Sequence, residues 1–188
     1  QFRHEGQGHG HADAAGVGVE RDPDDPDLPP GRRIRGERLD GHDFVEAALE
    51  RGAVAAVVSR ERAPVYPEKI HPQLLAVDDT LASLQALGAA VRHAWGKTLV
   101  AVTGSTGKTT TKDAIGHVLT GRYRVLKSEG NLNNHFGLPL QLLRLEPEHD
   151  VAVVALAMSH AGEIAALARI AQPNVGVVTN VAPVHLGF

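Results

Sequence analysis

The sequence predicts an α/β fold: a parallel sheet containing a phosphate loop, preceded by a small, incomplete α/β domain. Two observations predict it. From Thr98 onward, short apolar runs alternate with segments of helical periodicity, the pattern of parallel strands joined by crossover helices. Between one such strand and one such helix lies AVTGSTGKTTTK, residues 101–112, where a glycine-rich turn would meet a helix N-terminus.

Composition supports a packed core. Of 188 residues, 43% are hydrophobic and 22% charged, so a globular protein rather than a disordered one is expected. Only 4% are aromatic, so the core must be built from Ala, Val, Leu and Ile. A net charge of −3 gives no footprint for nucleic acid. The absence of cysteine removes disulfides, thiol chemistry and cysteine-held zinc, and it fits a reducing cytoplasm. No apolar run approaches the ~20 residues of a membrane span. The chain starts at Gln1 and stops at Phe188, directly after the strand-like NVGVVTNV, and it reads as a fragment.

Residues 1–33 show neither helical nor strand periodicity, so irregular or disordered structure is expected there. His4, His9 and His11 within it could be read as a metal cluster, but a polar tail is the simpler account. A partial N-terminal domain is expected over 34–78. Its helix, HDFVEAALERG, would bury Phe44, Ala47, Ala48 and Leu49 and end at Gly52. AVAAVVS (53–59) and LLAV (74–77) read as buried parallel strands, with the proline-rich APVYPEKIHPQ as a loop between them. A connecting helix over 79–96, capped by Asp78, Asp79 or Thr80, would bury Leu81, Leu84, Leu87, Val91 and Trp95, with the domain boundary at Gly96. The second domain, 97–188, runs strand TLVAVT, phosphate loop, helix TTTKDAIGHVLTG, strand YRVLK, loop SEGNLNNH, helix GLPLQLLRL, strand VAVVALAM, helix GEIAALARIAQ and strand NVGVVTN.

The loop has the parts that phosphate binding needs. Gly104 and Gly107 let N–H groups turn toward an anion, Lys108 brings charge and Thr109 can reach a magnesium ion. The full Walker spacing would place glycine at Val102, so this is a shortened variant. A glycine turn with an incidental GKT is the competing account, and the flanking strand and helix argue against it.

Several motifs in order resemble one family. TGSTGKTTTK, GNLNNHFGLPLQLLRL, MSHAGEI and TNVAPVHL, with GERLDGHDFVEAALERGAVAAVVS upstream, are similar to the Mur ligases of peptidoglycan synthesis, nearest to the branch that joins D-alanyl-D-alanine to a UDP-linked muramoyl tripeptide. The likeness covers about residues 34–188. It implies a cytoplasmic, monomeric enzyme that uses ATP and Mg2+ to form an acyl phosphate, which an amine then attacks. It implies nucleotide contacts from Gly104, Ser105, Thr106, Gly107, Lys108, Thr109 and Thr110, with Lys108 and His185 catalytic and Thr109 and His185 on metal. It implies substrate contacts from Asp40, Gly41 and His42 (near the UDP), from Asn133 and Asn134 in a cluster with Asn131 and His135, and from Ser159 and His160.

Three departures qualify the resemblance. Residues 1–33 lack the family's early motifs, with PGRRIRGE too short for them. Position 155 is alanine in VVALAMSHAGEI, where the family pattern has a magnesium-binding glutamate. Asp150 stands ~16 Å down the strand, at the wrong end, and Glu163 already belongs to the family's own pattern. The family's later catalytic lysine and C-terminal domain would lie beyond Phe188. The expectation is therefore family membership with ligation by this chain absent. Two other readings stay open: a nucleotide-binding module without catalysis, and a related ATP-dependent amide ligase with another acceptor.

Overall fold

The computed structural model describes residues 40–182. The expected irregular segment 1–33, its three histidines, and His185 lie outside the described residues. Two compact units divide between Thr80 and Leu81, so the long helix at the division belongs with the second unit rather than ending the first at Gly96.

In the first unit, a 3-10 turn at Gly41–Phe44 leads into α1, Val45–Glu50. The short turn rotates the helix away from the expected face. Val45 is the buried residue, Leu49 and Ala48 are half-buried, and Phe44 and Ala47 are exposed rather than buried. Gly52 ends the helix at φ +98°, with its N–H bonded to the Leu49 carbonyl at 3.0 Å. Strand β1 (Ala56–Ser59) pairs in parallel with β2 (Leu74–Val77), Ala56 opposite Leu74. The connection contains two 3-10 turns, Ala63–Val65 and Glu68–Gln73, instead of plain loop. Proline suits such short turns, because its fixed φ fits their first positions. One face of the pair packs Ala56 and Val58 against Val45 and Ile70. The other leaves Val57 and Leu75 exposed, so β1 is not the doubly buried strand its composition suggests.

The second unit takes in α2, Thr80–Trp95, from Leu81 onward. Its buried positions are Gly88 and Arg92, while Leu87 is exposed, against expectation. Glycine is required at 88: a Cβ there would lie 2.9 Å from Pro139 Cα, so α2 approaches its neighbour backbone to side-chain root. The remaining elements are β3 (Thr98–Thr103), α3 (Lys108–Thr120), β4 (Val125–Lys127), α4 (Gly137–Leu142), β5 (Val151–Ala155), α5 (Glu163–Ala171) and β6 (Val175–Val178). The four strands form one parallel sheet in the order β4-β5-β3-β6.

Alternation along the strands divides the core between the two faces. Leu99, Ala101, Leu126, Ala152 and Val154 face α4 and α5 through Leu138, Leu142, Leu167 and Ala171, with Val91 and Trp95 of α2 alongside. Val100, Val102, Val151 and Val153 face α3 through Ile115 and Leu119. Leu138 and Leu142 are wholly buried, and truncating either to alanine should cost about 2–5 kcal/mol.

Arg92 fixes α2 to the end of α5. Its guanidinium donates to the carbonyls of Ala171 (2.8 Å) and Gln172 (2.9 Å) and to the Asn174 side chain (3.1 Å). Helix C-terminal carbonyls lack intrahelical donors, and a cation there also meets the negative end of the helix dipole. Burial lowers the Arg92 pKa, yet a guanidinium remains charged. Among the described residues, no helix is long and apolar enough to cross a membrane.

Candidate phosphate-binding site

The C-terminal ends of β3, β5 and β6 lie side by side, the edge at which open parallel sheets bind ligands. Strand β3 is buried from Leu99 to Thr103 and passes at once into the loop. Gly104 adopts φ +135°, and a Cβ there would meet Thr179 Oγ1 at 2.1 Å. Gly107, at φ +78°, forms the N-cap of α3 with no side chain over the helix end. Thr111 is the first residue to donate back along the helix, to the Gly107 carbonyl at 2.9 Å. The N–H groups of Lys108, Thr109 and Thr110 therefore face outward at the positive end of the helix dipole. Lys108 folds over the loop, its Nζ donating to the Gly104 carbonyl at 2.7 Å. Among the described residues the turn presents free-facing donors and a cation with no side-chain cap on the helix end, an arrangement suited to an anion.

The segment after β6 braces the loop from outside. Thr179 Oγ1 donates to the Thr106 carbonyl at 2.6 Å, and Asn180 Oδ1 accepts the Thr106 N–H at 3.0 Å. Asn180 Nδ2 donates to Thr106 Oγ1 at 2.8 Å, and the Asn180 carbonyl accepts the Ser105 N–H at 3.1 Å. Sequence reasoning noticed TNVAPVHL as a motif and gave Thr179 and Asn180 no role. The signal available was their position directly after a strand neighbouring β3.

Ala155 ends β5 at 4% exposure, opposite Val102. Strand alternation puts its methyl on the face of Val151 and Val153, toward α3. Its N–H donates to Ser128 Oγ at 3.2 Å. On the same face of α3 as Ile115 and Leu119, buried Lys112 donates to the Ser128 carbonyl at 2.5 Å. The nearby Asp113 is engaged by Lys127 at 2.9 Å, a hydrogen bond that holds its carboxyl below the usual range.

These groups do not amount to a magnesium site. A hard cation requires oxygen ligands, and the described residues offer the Thr109 hydroxyl with a methyl at position 155. Among them, no three His, Asp or Glu side chains gather closely enough to hold a metal ion.

The other predicted residues fall into three places. Asn134 caps α4, its Oδ1 accepting from the N–H groups of Phe136 (3.1 Å) and Gly137 (2.8 Å). The Asn133 carbonyl accepts from Ala157 N–H at 2.8 Å, tying that loop to the end of β5, and the neighbouring Asn131 carbonyl accepts the Asn133 N–H at 2.8 Å. The His135 ring rests against Phe136 at a centroid distance of 4.7 Å. Ser159 and His160 follow β5, and both N–H groups donate to Glu163 Oε2, at 2.6 and 3.3 Å. Glu163, the first residue of α5, thus reaches back to hold the loop that leads into the helix.

In the first unit, Asp40 Oδ1 accepts from His42 N–H (3.0 Å) and Nδ1 (2.6 Å), while His42 Nε2 accepts from Ser59 N–H at 2.9 Å. Because Nε2 accepts, the proton of a neutral ring resides on Nδ1. The His42 bonds, backbone first, pull the Asp40 pKa down, with Arg62 at 2.8 Å adding to them. Gly41 opens the 3-10 turn that brings His42 to the end of β1.

Two family models match in chain order: the Mur ligase family catalytic domain over residues 33–95 and the Mur ligase middle domain over 102–188. The chain belongs to the Mur ligase family. Relatives of this family include the UDP-N-acetylmuramoyl-tripeptide--D-alanyl-D-alanine ligases of Bacillus subtilis, 48% identical over 81% of this chain and 33% of the relative, and of Escherichia coli, 42% identical over 82% and 33%. Among solved structures, MurF from Acinetobacter baumannii matches with a TM-score of 0.71 at 39% identity, covering 81% of this chain and 33% of that one. MurF ligase from Thermotoga maritima, in complex with ADP, matches with a TM-score of 0.71 at 36% identity, covering 82% and 35%. The chain thus spans about a third of the length of the relatives it matches.

Proposed function

We propose that this chain is the nucleotide-gripping part of an ATP-dependent ligase that adds D-alanyl-D-alanine to UDP-N-acetylmuramoyl-tripeptide. The observation that carries this reading is the phosphate cradle itself: two positive-φ glycines, a folded-over Lys108 and outward N–H groups at the start of α3. In the proposed reaction the γ-phosphoryl group of ATP passes to the tripeptide carboxylate. The amine of D-alanyl-D-alanine then attacks the acyl carbon and phosphate leaves. Ser105, Thr106, Gly107, Lys108, Thr109 and Thr110 would line the polyphosphate, with Lys108 neutralising charge as it builds.

Asn133, Ser159 and His160 stand on loops at or tied to the end of β5, within the same unit as the cradle, and are proposed to face the muramoyl peptide. Asn134 is proposed with them, although its Oδ1 is engaged as a cap. Asp40, Gly41 and His42 are proposed for the UDP end. Thr109 and His185 are the remaining metal candidates, and no step is assigned to the ion. The proposed setting is cytoplasmic and monomeric.

Ala155 supports a second reading, in which nucleotide is bound without ligation. Both readings share one test. ADP titrated calorimetrically into the 188-residue chain should bind, and Lys108→Ala should abolish most of that binding. Failure of the unaltered chain to take up ADP overturns both. Incubation with ATP, UDP-linked tripeptide and D-alanyl-D-alanine should release no phosphate. Turnover by the chain would refute the absence of catalysis at position 155.

A further inference from the structure

We infer that Thr179 and Asn180 are positioning residues for polyphosphate: a clasp that holds the first half of the phosphate loop in its binding shape before any nucleotide arrives. The inference rests on the phosphate-loop reading above. The two halves of the loop are held differently. Thr103, Ser105 and Thr106 are each bonded to the segment that follows β6, and Gly104 packs directly against it. Thr179 N–H donates to the Thr103 carbonyl at 2.9 Å, continuing the sheet ladder by one residue. Gly104 has no side chain because Thr179 Oγ1 and the Asn180 carbonyl occupy the space where one would go, 2.1 and 2.9 Å from an ideal Cβ. Ser105 Oγ donates to the Ala182 carbonyl and accepts the Ala182 N–H, each at 2.9 Å. Thr106 is held at its N–H, carbonyl and hydroxyl together. The second half, from Gly107 into the first turn of α3, makes no bond to the described residues of this segment, and the first-turn N–H groups of α3 are the donors proposed for a ligand.

This division of labour is what a preorganised anion site requires. A loop that must find its shape on binding loses affinity to the ordering entropy, whereas one already braced does not. Asn180 serves little else. Its side chain is exposed, yet both of its polar ends are committed to Thr106. Thr179 adds a hydroxyl whose shorter bond satisfies the Thr106 carbonyl at 2.6 Å.

The test uses the full 188-residue chain and ADP as the probe. Asn180→Ala and Thr179→Val should each weaken ADP binding about tenfold, the loss expected when one or two loop-ordering hydrogen bonds go. Thr179→Ser, which keeps the hydroxyl, should bind within about twofold of the unaltered chain. A purely structural role would move the thermal midpoint and leave affinity alone. Here the midpoint of Asn180→Ala should hold while its affinity falls, and the Thr106 amide should exchange faster in the ligand-free protein. If the unaltered chain binds ADP and both variants bind it equally well, the clasp is refuted and the phosphate-loop reading survives. If the unaltered chain binds no ADP, the phosphate-loop reading fails and carries the clasp with it.

Discussion

Gly104→Ala is the sharpest perturbation the site offers. Two costs separate cleanly. The backbone cost comes from φ +135°, a conformation that alanine adopts at a penalty of about 1–2 kcal/mol. The contact cost is larger. A Cβ at 104 would stand 2.1 Å from Thr179 Oγ1, where carbon and oxygen normally approach to about 3.3 Å. The clasp must therefore retreat by roughly 1 Å. Its other neighbours, the Asn180 carbonyl at 2.9 Å and amide at 3.1 Å, block a sideways escape. Misplacement of binding groups by ~1 Å costs on the order of a hundredfold, near 2.7 kcal/mol. ADP affinity measured by calorimetry should fall by about that factor. Gly52→Ala is the control: it carries the same kind of φ, +98°, with nothing within 4 Å of the new Cβ. It should lose about 1 kcal/mol of stability and leave ADP affinity unchanged. If Gly104→Ala binds ADP like the unaltered chain, the loop is not held where the reasoning places it.

Other perturbations probe other parts of the molecule. Ala155→Glu buries a carboxylate at a 4%-exposed position, so stability near neutral pH should fall by a few kcal/mol. Calorimetry should show ADP affinity that now responds to added Mg2+, and no response would mean that position 155 does not face the phosphates. Arg92→Met removes three hydrogen bonds from the end of α5 and should cost about 3–5 kcal/mol in urea unfolding. A loss below about 1 kcal/mol would show that the carbonyls find other donors. Asp40 has a folded-state pKa below its unfolded value of about 3.9, so its contribution is full above that value and disappears as pH falls through the depressed one. Acid titration of thermal stability should show this loss, and Asp40→Asn should flatten the slope.

The sequence made legible what depends on neighbours along the chain. The bounds of α2, the strand–loop–helix context of GSTGKTTT and the methyl at 155 were all readable, because each follows from local period or spacing. What escaped depends on residues far apart. Thr179 and Asn180 meet Thr106 across 73 and 74 positions, and no local pattern encodes that meeting. Apolar spacing nominated Leu87 for the core of α2, whereas the actual neighbours select Gly88 for closeness and Arg92 for the carbonyls it reaches. Asn134 looked like a site residue by type, and its carboxamide oxygen is committed to the start of α4. Phe44 is exposed because a 3-10 turn, invisible to a 3.6-residue period, precedes α1.

The Arg92 lock also sets where the chain can be cut. A recombinant piece starting at Gly96, the boundary read from the end of the connecting helix, would keep every strand of the four-stranded sheet and every residue of the glycine-rich loop. It would also lose the guanidinium that serves Ala171, Gln172 and Asn174, and it would uncover Pro139 where Gly88 now lies. Such a piece should be poorly soluble despite containing the whole glycine-rich loop. One starting at Thr80 retains the lock and is the shorter protein on which crystallisation or ligand screening is worth attempting.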